Sequence, residues 1–206
     1  MSQPLTLPLA APQVPGLAPH VEPAGWNRGR VGMACLIFGE STFFSVFVVA
    51  YLFYIGKSAT GPQPSDVLEF PLVATLCLLS SSATAGFAVK ALAQGNAARA
   101  GVALALTVGL GAGFLGATAN EWFGLIYGHG LTIGTNLFGT TFYSLVGFHA
   151  AHVVLGLLML SLVLGGVLAG RVGPEHSERV EIVTWYWHFV DAVWIVVLTT
   201  VYVVGV

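Results

Sequence analysis

The chain has 206 residues, of which 56% are hydrophobic and only 8% charged. An average soluble domain carries about 25% charged residues, so a water-soluble globule is excluded. Seven Lys and Arg against nine Asp and Glu leave a net charge of −2, and no basic surface remains to hold nucleic acid through counterion release.

Residues 1–27 hold six of the ten prolines and one charge, Glu22. They lack the basic start, apolar centre and small-residue cleavage site of a signal peptide, and read as a retained, disordered Pro-rich arm. Residues 28–206 read as one transmembrane domain. A hydrocarbon layer about 30 Å thick takes about 20 apolar residues per helical crossing, and five such runs follow. The first, 31–55, comes after Arg28 and Arg30, is broken only by Gly39 and Glu40, and closes on Tyr51, Tyr54 and Lys57. A turn-rich stretch with Gly61, Pro62 and Pro64 leads to Pro71, tolerated in a first helical turn because its missing N–H would be unpaired there anyway; the second span is 70–93. A polar hinge at Gly95 and Asn96 precedes the third, 100–126, which ends on Trp122, Phe123 and Tyr127. The fourth, 137–169, would be about 50 Å long at about 1.5 Å per residue, so it must tilt or project beyond the lipid. A charged link, 171–181, leads into the fifth, 182–204. Trp185 and Trp187 near its start, like Trp122 at the end of the third, are expected to anchor at the membrane interface.

The predicted fold is therefore all-α, an integral membrane bundle of five transmembrane helices. Six of the seven basic residues fall on one side of that topology and one on the other. The positive-inside rule then puts the N-terminus in the cytoplasm and the C-terminus outside. Cys35 and Cys77 each lie inside an apolar run and read as packing residues, with neither disulfide nor zinc spacing.

The polar exceptions inside the spans carry the information. Gly111, Gly113 and Gly116 match a dinucleotide-binding string, but inside a membrane helix without a preceding strand that chemistry has no frame. The preferred reading is a small-residue ridge, Gly109, Gly113 and Ala117, along which another helix approaches. Glu40, about nine residues into the first span, must face protein and be neutral or paired; proton relay, hydrogen-bond anchor and ion or lipid site all stay open. His149 and His152 share one face of the fourth span, and His188 and Asp191 repeat that spacing in the fifth. They fit either a metal or haem held between helices or satisfied buried hydrogen bonds. Glu121 lies near the outer end of the third span, close to water.

Trp185-Tyr186-Trp187-His188-Phe189-Val190-Asp191-Ala192-Val193-Trp194 resembles the last-helix signature of subunit III of the haem-copper terminal oxidases. Thr141-Phe142-Tyr143 followed by Gly147-Phe148-His149-Ala150-Ala151-His152 and Gly156 resembles that family's preceding helix. Glu121-Trp122 and Gly39-Glu40 with Phe43-Phe44 resemble its other polar positions, in the same order over residues 31–206. The chain departs at Thr118, where the family often has Gln, and at Ala150, where it often has Gly; it begins where the third span of the seven-span form would, as short bacterial members do.

The resemblance implies an accessory subunit without catalytic residues, cofactor or metal of its own, in the cytoplasmic membrane of a bacterium. The haems and copper would belong to subunits I and II of a proton-pumping oxidase that reduces oxygen to water. Subunit I would be the main contact, with subunit II, a small subunit IV, membrane lipids and a larger respiratory supercomplex as further candidates. Bound phospholipid is a candidate ligand, although one wall of the family's lipid cleft is missing. A subunit of a quinol oxidase and an accessory protein of nitric oxide reductase are alternatives within the resemblance. A free-standing haem protein and a proton-coupled carrier are alternatives outside it.

Overall fold

Three asparagines set where three of the long helices begin. In the structure, a computed structural model that describes residues 27–206, the side chain of Asn27 accepts from Arg30 N at 2.9 Å, that of Asn96 from Arg99 N at 3.0 Å and that of Asn136 from Gly139 N at 2.8 Å. Each satisfies an amide that has no partner in a first turn. The helices are α1 (Arg28–Tyr54), a short α2 (Pro64–Val67), α3 (Leu72–Ala93), α4 (Ala97–Phe123), α5 (Leu137–Leu168) and α6 (Ser177–Leu198). Wide π-helical turns extend α4 through Gly124–Gly128 and α6 through Thr199–Val204. No strand occurs among the described residues.

Five of these helices are long and apolar enough to cross a membrane, in agreement with the expected spans. The expected Pro-rich arm, residues 1–27, lies outside the described residues apart from Asn27. The largest shift in a boundary is at the last span. Helix α6 starts at Ser177 rather than near 182, so the charged link is mostly helix. Glu178 and Glu181, three residues apart on one face, both reach Arg30 of α1, at 3.4 and 2.9 Å. Carboxylates in a first turn also suit the positive end of the helix dipole.

The long helices run up and down. Arg30 meets the start of α6, and the α3–α4 turn at Gly95 touches Pro174 before α6. Arg28, Arg30, Lys90, Arg99, Arg171 and Arg179 thus sit at one end of the bundle, with Lys57 at the other. At that other end, Asn136 Nδ2 donates to the carbonyls of Thr60 and Pro62, both at 3.1 Å. The Ser58 hydroxyl accepts from Phe138 N at 3.0 Å, and together these contacts hold the first loop on the start of α5. Helix α1 is apolar all round and buries only Phe44 and Tyr51; the core lies among α3, α4, α5 and α6.

Candidate functional site

The centre of that core is Trp187. It is 0% exposed, which corrects the expectation of an interfacial anchor. Its face of α6 turns toward α3, α4 and α5 rather than outward, so the ring is enclosed by the bundle. Two glycines make room for its ring. A Cβ on Gly111 of α4 would stand 2.8 Å from Cη2 of Trp187 and 2.7 Å from Leu157 Cδ2, and a Cβ on Gly156 of α5 would stand 2.7 Å from Cε3 of Trp187. The indole N–H donates to Ser81 Oγ on α3 at 2.9 Å, so this one side chain joins four helices.

Gly111 therefore makes the close helix approach expected of Gly109, Gly113 and Ala117. Within the described residues a Cβ on Gly109 would meet nothing within 4 Å, and one on Gly113 only Cys77 Sγ at 3.9 Å. Ala117 is partly buried against the core. Two residues along a helix turn through about 200°, which puts Gly111 on the face opposite Gly109 and Gly113.

A seam of polar links joins α3 to α6. Trp194 Nε1 donates to Thr75 Oγ1 at 3.1 Å, Trp187 to Ser81, and His188 Nδ1 lies 2.6 Å from Ser82 Oγ. Numbers rise along α3 as they fall along α6, the register of antiparallel neighbours. Asp191, 4% exposed, has neither carboxylate oxygen in a well-formed hydrogen bond; its polar neighbour is the Ser82 hydroxyl. Thr75, Ser81 and Ser82 were not singled out from the sequence. A run of three serines, 80–82, in the middle of an apolar span was the available signal.

Glu40 faces His152 of α5, with Oε2 3.2 Å from Nε2. His152 Nδ1 lies 2.8 Å from the carbonyl of Phe148, and a carbonyl can only accept, so Nδ1 carries hydrogen and points it there. The hydrogen bond to Glu40 then exists in two forms: a neutral imidazole accepting from a protonated carboxyl, or an imidazolium donating to a carboxylate. Both contain the same number of protons and no net charge, which meets the requirement that an acid at this depth be neutral or paired. Phe44 packs edge-on to His152 with centroids 4.9 Å apart.

His149, three residues earlier, goes elsewhere. It is fully buried, stacked on Trp194 with centroids 5.1 Å apart and edge-on to Phe114 at 5.7 Å. Neither ring nitrogen has a hydrogen-bond partner among the described residues. The three intramembrane imidazoles thus face a carboxyl, two aromatic rings and a serine respectively. No group of three or more His, Cys, Asp or Glu is placed to hold a metal ion among the described residues.

Near the far end, Tyr202 donates to Glu121 Oε1 at 2.8 Å, fastening the wide turn after α6 to α4. Trp122 is half-buried, edge-on to Tyr143 at 5.3 Å and close to Gly147, while Phe123 and Tyr127 form the exposed aromatic rim. At the basic end, Arg30 lies over Trp185, 5.9 Å from the ring centroid.

Residues 24–206 match the family cytochrome c oxidase subunit III. A cytochrome c oxidase subunit 3 from Alkalihalophilus pseudofirmus is 33% identical over 196 residues, covering 93% of this chain and 95% of that one. A quinol oxidase subunit 3 from Bacillus spizizenii is 32% identical over 177 residues, 85% of this chain and 86% of the relative. A cytochrome c oxidase subunit 3 from Scyliorhinus canicula is 36% identical over 194 residues, 89% of this chain and 72% of the relative. A five-helix membrane bundle whose core is built on the Trp187 and Trp194 segment, matched over nearly its whole described length, belongs to the cytochrome c oxidase subunit III family and is a subunit III of a haem-copper oxidase.

Proposed function

We propose that this chain is the accessory subunit of a bacterial oxidase that takes electrons from cytochrome c, reduces oxygen to water and pumps protons. The haems and copper are carried by subunits I and II, and subunit I is the main contact. That end of the bundle, with the N-terminus, lies in the cytoplasm, a reading supported by the six basic residues gathered there. Glu40 with His152, and His188 with Ser82, hold helix register, His149 and Asp191 fill the buried interior between helices, and none of the five takes part in electron transfer. This register keeps the bundle a fixed support for subunit I and its proton uptake.

The observation that carries the reading is the α3–α6 seam: the family's last-helix signature is spent on bonds to hydroxyls of this same chain, at Ser81, Ser82 and Thr75. A quinol-oxidising complex is the second reading, favoured by the relative that bears that name.

The test is Asp191→Ala in the whole complex purified from membranes. Subunit content after detergent extraction is expected to fall while oxygen consumption in the first seconds, per complex that retains the subunit, stays near that of the parent. Normal subunit content with oxygen reduction lost at once would overturn the supportive role. Assaying reduced cytochrome c and a quinol as donors to the same preparation decides between the two readings.

A further inference from the structure

Helix α1 packs on α5 and α6; on the opposite side of the bundle a furrow runs between α3 and α4. Its walls are Ala83 and Phe87 of α3 with Ala98, Val102, Ala103 and Leu106 of α4, and it encloses about 460 Å³. Of the side chains that line it only Thr84 and Arg99 are polar. The Thr84 hydroxyl is spent within the helix pair, donating to the Ser81 carbonyl at 2.9 Å and lying 2.7 Å from Thr107 Oγ1. Below its mouth the furrow is therefore apolar.

The mouth opens at the basic end of the bundle. Arg99 lines it from α4, and Lys90 stands one turn beyond Phe87 on the same side of α3. Both are exposed. The acids at this end are engaged elsewhere, Glu178 and Glu181 by Arg30 and Glu175 by His176, so neither cation has a carboxylate among the described residues.

From Arg99 to Leu106 the furrow descends about 10 Å at about 1.5 Å per residue, from headgroup level into hydrocarbon. A furrow of that length and of 460 Å³ is narrower than a helix, which is about 10–12 Å across. A neighbouring span would rest on its rims, whereas a single flexible chain can lie in it. The occupant that fits is anionic at one end and a thin hydrocarbon beyond. The cytoplasmic leaflet supplies such molecules.

We propose that the α3–α4 furrow is a binding site for one anionic phospholipid, its phosphate between Lys90 and Arg99 and one acyl chain along Phe87, Val102 and Leu106. The Arg99 guanidinium can meet two phosphate oxygens at once, and Lys90 adds a point charge from the other helix. This face is separate from the cleft that the family resemblance implies, whose missing wall would precede α1. The site needs only that this end of the bundle lies at a membrane surface, so it does not rest on the oxidase reading.

The test uses the whole complex, purified from membranes and placed in phosphatidylcholine vesicles with a trace of lipid bearing a photoreactive acyl chain. With phosphatidylglycerol as that lipid, label on residues 83–87 and 98–106 is expected to exceed that from photoreactive phosphatidylcholine about twentyfold. Lys90→Gln and Arg99→Gln should each remove about fivefold of the difference, the strength of one basic residue near an anionic surface. Equal labelling of the parent chain by the two lipids would overturn the proposal, as would an absence of label on these residues or label that both substitutions leave unchanged. Should the charge variants fail to accumulate, Val102→Trp, which fills the furrow and keeps both cations, decides: the label is expected to vanish, and its persistence would overturn the site.

Discussion

Two helix pairs in this bundle are held together in different ways. Helices α3 and α6 share three hydroxyl links at Thr75, Ser81 and Ser82, two of them to indoles that are almost wholly buried. Helices α1 and α5 share the Glu40–His152 pair and a cluster of rings in which Phe148 contacts Phe43 and Phe47 at 5.2 and 4.8 Å. The first seam is mainly shape, with hydrogen bonds as guides. The second hangs on a charge-capable pair, so removing one partner leaves the other exposed to hydrocarbon. The contrast teaches that what a polar link contributes depends on what remains when one partner is lost, and not on how many such links a seam holds.

The sharpest way to break this contrast is at its core. Trp187→Ala should destabilise the chain by about 3–5 kcal/mol, the range for emptying an aromatic site, seen as a lower thermal unfolding midpoint in detergent and reduced accumulation. A small effect would mean that Gly111 and Gly156 close over the space. On the other seam, His152→Leu should cost about 3 kcal/mol, because Glu40 is then unpaired at membrane depth. The double variant Glu40→Leu with His152→Leu should recover most of that loss, measured by the same unfolding midpoint. Equal losses for the single and double variants would show that the pair is not coupled. Thr75→Val removes one hydroxyl but keeps the shape, and about 0.6 kcal/mol is expected, the average for hydrogen bonds between membrane helices. Arg30→Ala should be smallest, a few tenths of a kcal/mol that fades with added salt, since Glu178 and Glu181 are partly exposed.

The elements themselves were readable because hydrocarbon permits so few answers. Backbone groups must bond within a helix, so each apolar run between Lys57, Gly95, the glycines near His129 and Arg171 had to be one. The start of α6 was misplaced because charges looked like a link; Arg30, more than a hundred residues away, accounts for them as a helix face. Trp187 looked like an anchor from its place near the start of the span; the face of α6 it occupies, turned toward α3, α4 and α5, puts it in the core. The polar positions Glu40, His149, His152, His188 and Asp191 were legible as exceptions to an apolar background, but their partners were not. Ser82, Ser81 and Thr75 are unremarkable residues in a helix until another helix lies beside them. Gly111 was masked by its neighbours: with Gly109, Gly113 and Gly116 all nearby, only the side of the helix that meets Trp187 distinguishes it.

The amino-acid sequence by itself determined the solvent, the number of crossings and the rarity of ionisable groups. These depend on composition and period, and every residue contributes to them independently of distant contacts. The tertiary structure decided which polar group meets which, where two glycines admit an indole, and which imidazole turns outward. Those outcomes depend on the rotation of each helix about its own axis, set by packing among all of them at once. A difference of two residues along α4, from Gly109 to Gly111, turns from open surface to a close approach against Trp187 and Leu157.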